Sequence, residues 1–179
     1  MRKLRLAILK VEIDKDYTLW ETVCHEMRDY VDWESIDIDR SDWLERIKKG
    51  RFDGLLAIPP GITNSCKNMY DERVRILNTC LDLPVYPNLE EIEIYENKKY
   101  ISYWLAANEI PHPKTWVFYQ REEALQFVAT AKVPVVGKTN VGASGRGVSI
   151  IKSNAEAIEY VENTFSGKGA IRSTGPNLK

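Results

Sequence analysis

The stretch from Pro134 to Ile151, PVVGKTNVGASGRGVSII, constrains the fold more than any other. A short apolar run ends in Lys138, a glycine-rich loop follows, and a second apolar run, Val148-Ser-Ile-Ile151, leaves it. Runs of this length bounded by glycine are strand-sized, so the stretch predicts two antiparallel strands joined by a loop. Gly142, Gly145 and Gly147 bracket Ala143, Ser144 and Arg146. Glycine admits positive φ and lets backbone approach a ligand closely. Successive N–H groups in such a loop can cradle an anion, and Ser144 would add a hydroxyl donor. A long hairpin turn uses glycine for the same freedom. Taken by itself, the loop fits both readings.

Other phosphate loops arrange their parts differently. A P-loop carries its lysine after the glycines, whereas Lys138 precedes them. A Rossmann loop opens a helix, whereas this one leads into a strand. A protein kinase loop lies between strands, but its lysine follows on the next strand. Lys98 and Lys99 add to the functional reading. They fall in the first turn of a helix predicted from Asn97, where the macrodipole disfavours cations by a few tenths to about 1 kcal/mol each. A bound anion would remove that conflict at Lys98. Lys99 is expected to point into solvent.

Upstream, short apolar runs alternate with helical periodicity. Leu4 to Leu9 reads as a strand. Thr18-Leu-Trp-Glu21 fits a capping box, followed by Leu19, Trp20, Val23, Cys24, Met27, Tyr30 and Val31 at helical spacing. Then come a strand over Ser35 to Asp39, a helix over Ser41 to Lys49 stopped by Gly50, and a strand over Phe52 to Ile58. Pro59-Pro60-Gly61 ends that strand. A helix over Asn68 to Leu81 and a strand over Leu83 to Tyr86 follow. Such alternation implies a mainly parallel sheet, whose ligands sit at the C-terminal strand edges. The turn from Pro59 to Thr63 lies at one such edge, with a plain strand-to-helix turn as the simpler reading.

The pattern changes near residue 90. A helix over Asn97 to Asn108, a strand over Thr115 to Tyr119 and a helix over Arg121 to Ala131 precede the hairpin. A helix over Asn154 to Thr164 follows it, with Ser153-Asn-Ala-Glu156 as a second capping box. The expected organisation is an α/β domain with a parallel sheet over residues 1–90 and a small α+β unit over residues 91–179.

Composition excludes other classes. Of 179 residues, 44% are apolar and the net charge is −1, so no basic patch speaks for nucleic acid or an anionic membrane. No apolar stretch approaches a membrane span. Cys24, Cys66 and Cys80 lack C-x-x-C spacing and read as reduced thiols, consistent with the cytoplasm. Two histidines far apart in sequence make a zinc site unexpected.

The motifs fall in an order that resembles the ATP-grasp superfamily. Asn97-Lys98 opens a helix, and Ile110-Pro111-His112-Pro113 ends it. Pro134-Val135-Val136-Gly137-Lys138 then precedes Gly142-Ala-Ser-Gly-Arg-Gly-Val148. The text is similar to the peptide-bond-forming branch, such as ribosomal-protein glutamate ligases and D-alanine–D-alanine ligases. Residues 1–90 look like the domain preceding the ATP-grasp module in their alternating pattern.

The resemblance implies that Lys98 and Lys138 hold ATP phosphates. It also implies that Gly142, Ala143, Ser144, Gly145 and Gly147 form a lid over them, with magnesium neutralising the phosphates. The family activates a carboxylate as an acylphosphate, which an amine or thiol then attacks. Its adenine hinge and metal-binding residues lie downstream, so the chain reads as the front part of such a ligase. The carboxylate, the acceptor and the catalytic residues are not specified. Asn97 replaces an acidic residue, and Thr139 replaces the proline often found after the lysine. Exposed apolar residues on the last sheet are expected under this reading. A sealed polar surface would favour a non-catalytic nucleotide- or partner-binding protein, or a structural α/β interaction protein.

Overall fold

The computed structural model describes residues 2–142 and 147–167. The chain divides into two compact units, Met1–Asn97 and Lys98–Lys179. In the first, β1 (Leu4–Lys10), β2 (Val31–Asp37), β3 (Gly54–Leu56) and β4 (Val85–Tyr86) form a parallel sheet in the order β2-β1-β3-β4. Helices α1 (Thr18–Glu26), α2 (Trp43–Gly50) and α3 (Asn64–Cys80) connect the strands, and α4 (Leu89–Ile94) follows β4. Successive side chains of a strand point to opposite faces. Ala7 and Leu9 therefore join Ile36, Ile47, Val74 and Ile92 in one cluster, while Ile8 joins Cys24 and Val31 in another. With both faces covered, β1 reads as a continuous apolar run, as a central parallel strand should. Each fully buried Leu or Ile contributes about 1.5–3 kcal/mol.

Local chemistry shifts several expected boundaries. Tyr17 occupies the N-cap of α1 and makes no capping bond. The Thr18 hydroxyl donates to the Lys15 carbonyl, and Glu21 accepts from Ser35 Oγ instead. No capping box forms there, and Val31 opens β2 rather than extending the helix. Helix α2 runs through Gly50, and the left-handed residue that ends it is Arg51, with φ 49°. Gly50 is required for a different reason, since a Cβ there would lie 2.1 Å from the Phe52 ring. Helix α3 starts at Asn64 because Thr63 Oγ1 accepts from the Cys66 N–H at 3.2 Å. The turn before it thus serves as a helix cap.

Helix α4 was not expected. Asn88 Oδ1 accepts from the Glu91 N–H at 3.0 Å, and the Glu91 carboxylate accepts from the Asn88 N–H at 2.9 Å. Its Ile92 is fully buried in the first core, which carries that unit past residue 90. Lys67 pins α4 to α3: its ammonium, itself buried, donates to Ile92 O at 2.9 Å and to Asp71 Oδ2 at 2.5 Å. Burial pulls the Lys67 ammonium below the ordinary lysine value, and Asp71 opposes that shift.

The second unit contains α5 (Lys98–Ala107), α6 (Arg121–Thr130), β5 (Val135–Lys138), β6 (Val148–Ile151) and α7 (Asn154–Phe165). The hairpin strands pair antiparallel, Val135 with Ile151 and Lys138 with Val148. Val135 and Ile151 pack on Ala124, Val128, Ala157 and Val161 of α6 and α7. Val136 and Ile150, opposed on the other face, are 54% and 63% exposed. An ion pair of Arg121 with Glu162 joins the two helices. Ser153 caps α7 by accepting from the Glu156 N–H at 3.2 Å, while Glu156 reaches back to the Lys152 N–H rather than to Ser153.

Residues 115–119 form no strand. Their apolar side chains are used for ring packing: the rings of Trp116 and Phe118 stand 4.7 and 5.2 Å from that of Phe127 of α6. The three cysteines are free thiols. Among the described residues no helix is long and apolar enough to cross a membrane.

Candidate functional site

The site is built on the hairpin. Along β5, Val135 and Gly137 turn inward, and Val136 and Lys138 turn outward. Gly137 has no room for a side chain, because a Cβ would fall 2.6 Å from the Tyr160 ring of α7. That contact seats α7 against the hairpin. The strand's parity then places Lys138 at an exposed position on the face that carries Val136 and Ile150.

At the neck of the glycine loop, the Thr139 N–H donates to Gly147 O at 2.8 Å. Proline, lacking an N–H, could not make this bond, so the departure at this position has a structural use. The Thr139 hydroxyl donates to Val141 O at 3.0 Å. Gly147 has φ +69° and Gly142 has φ 148°, both in the region that favours glycine.

Lys98 enters from α5. Its ammonium donates to Gly142 O at 2.6 Å and lies 3.5 Å from Asn140 O. Its N–H donates to Asn140 O at 3.2 Å, and the Lys99 N–H donates to Asn140 Oδ1 at 2.9 Å. Two expectations need correction. The first N–H groups of α5 are satisfied by Asn140, so an anion is not needed to relieve the dipole there. The Lys99 ammonium does not point into open solvent, since it stands 4.7 Å from the centre of the Tyr119 ring, a cation–π contact.

Of the expected site residues, the structure brings Lys98 to Gly142, and brings Gly147 to Thr139, the neighbour of Lys138. Ala143, Ser144 and Gly145 lie outside the described residues. Asn140 was not anticipated. Its type is that of a helix cap, but the helix it caps begins 42 residues earlier in sequence, where no local pattern can point to it. Among the described residues, no group of three or more His, Cys, Asp or Glu comes together as a metal site.

Residues 96–174 match the family Phosphoribosylglycinamide synthetase, ATP-grasp (A) domain. The whole fold is similar to the crystal structure of a RimK domain protein ATP-grasp from Sphaerobacter thermophilus DSM 20745, at a TM-score of 0.60 and 16% identity. The likeness covers 92% of this chain and 60% of that one. The hairpin with its glycine loop, the lysine at its strand end and the second lysine from α5 all fall within or beside the matched residues. On these grounds the chain has the ATP-grasp fold, and its residues 96–174 are similar to an ATP-grasp domain.

Proposed function

We propose that the second unit binds the triphosphate of ATP as part of an ADP-forming ligase that joins a carboxylate to an amine or thiol. The observation that carries this reading is the Lys98 ammonium at 2.6 Å from Gly142 O, at the start of the glycine loop. A carbonyl is a weaker partner for an ammonium than a phosphate oxygen, so a nucleotide would take over this contact. Lys138 supplies a second point charge at the strand end from which the same loop departs. The apolar face of Val136 and Ile150 beside Lys138 offers one wall for a base. Ligand-binding chemistry thus has both a charged and an apolar part in the same small unit.

In the reaction class this implies, a carboxylate oxygen attacks the γ-phosphorus and the bond to ADP breaks. The amine or thiol then attacks the acyl carbon, expels phosphate and loses a proton. Lys98 and Lys138 would orient the phosphates and meet the charge that develops during transfer. What the described residues supply to this step is the two ammonium groups. Titration of the chain with ATP, followed by amide shifts in NMR, tests the reading. Weak binding is expected, with Lys98→Ala losing about tenfold or more in affinity, the scale of a charge-assisted bond. Equal affinity in the variant would remove Lys98 from the site.

A further inference from the structure

Helix α5 has its first N–H groups bound by a residue far away in sequence. Asn140 stands two residues after Lys138 and two before Gly142. It accepts from the Lys98 N–H through its backbone oxygen at 3.2 Å, and from the Lys99 N–H through its side chain at 2.9 Å. The first N–H groups of any helix lack partners within it, and here one residue of the hairpin loop supplies two acceptors. Carbonyl oxygens at a helix N-terminus also offset the unfavourable field felt by Lys98 and Lys99.

From this geometry we infer that Asn140 is a positioning residue for the phosphate site, a role that rests on the proposed nucleotide reading. Lys138 is covalently two residues from Asn140, and Lys98 begins the helix that Asn140 caps. The cap therefore holds the two ammonium groups in a fixed relation, although Asn140 itself need touch no phosphate. A lysine on an unanchored helix end loses orientation, and with it the larger part of its contribution to binding. Asn140 thus sets how much Lys98 can add to what Lys138 provides.

The test is a cycle of four full-length chains: wild type, Lys98→Ala, Asn140→Ala and the double variant. Each is titrated with ATP by NMR. Lys98→Ala is expected to cost about tenfold in the wild type and less than about twofold in the Asn140→Ala background, since coupled residues are not additive. The same fold-loss in both backgrounds would make Asn140 a helix cap only and overturn the inference. No loss from Lys98→Ala in the wild type would overturn the phosphate reading and this inference with it. Amide exchange supplies a readout independent of nucleotide. The Lys99 N–H should exchange faster in Asn140→Ala and be protected again in Asn140→Asp, which keeps an acceptor. Unchanged exchange in Asn140→Ala would contradict the cap itself. If Asn140→Ala does not fold, Asn140→Ser, one bond shorter, takes its place in the cycle.

Discussion

Thr139 and Gly147 close the neck of the loop by a mutual fit. The Thr139 N–H donates to Gly147 O at 2.8 Å, and a Cβ at position 147 would lie 2.0 Å from Thr139 Oγ1. Gly147→Ala would meet both that clash and a φ of +69°. A loss of about 1–3 kcal/mol is expected. Chemical denaturation of the variant checks it. Adding Thr139→Ala should recover the steric part and leave the backbone part, of about 1 kcal/mol. No recovery would mean that the two residues do not share the neck as described.

The buried pair in the first unit gives a second prediction. Lys67 is 1% exposed and bonds both Asp71 and Ile92 O. Lys67→Met would leave Asp71 as an uncompensated, largely buried carboxylate, at a cost of about 3–5 kcal/mol. The double variant Lys67→Met, Asp71→Leu should recover much of this, because apolar replacements of both partners avoid the desolvation cost. Urea midpoints of the wild type, the single and the double variant measure it. A harmless single variant would contradict the buried pairing.

Legibility from sequence followed the range of the interaction. Strands β1, β5 and β6 and helices α6 and α7 were readable because their signals are short apolar runs and spacings within one element. The capping box at Thr18 failed because competing partners, Lys15 O and Ser35 Oγ, took its two side chains. Helix α4 carried a true box at Asn88 and Glu91, hidden where the strand–helix alternation breaks off. Residues 115–119 show that a short apolar run alone does not make a strand, since Trp116 and Phe118 pack their rings on Phe127 instead. In the candidate site, Lys98, Lys138 and the glycines were named from their order together with the ATP-grasp resemblance. Asn140 was not, because its bonds span 41 and 42 residues and exist only after the hairpin and α5 have met.

Asp53 supplies a pH test in the first unit. Arg2 bonds it at 2.7 Å and the Arg5 N–H at 2.8 Å. The bond from Arg2, then that from Arg5, holds its carboxyl below the ordinary carboxylate value. A folded-state pKa below the unfolded one means that the unfolded chain binds the proton first. The contribution is therefore fully present above the ordinary aspartate value of about 3.9, and is lost as pH falls through the lower folded-state value. The stability gap between wild type and Asp53→Asn should narrow across that acid window. A gap independent of pH would contradict the assignment.

The central claim is that Lys98 and Lys138 hold one triphosphate. Calorimetric titration of ATP with magnesium, on the wild type and on Lys138→Ala, tests it most directly. Weak binding by the wild type, reduced about tenfold or more in the variant, is the predicted result, on the scale of a lost charge-assisted contact. Binding by the wild type that persists unchanged in Lys138→Ala would put the nucleotide elsewhere and contradict the account.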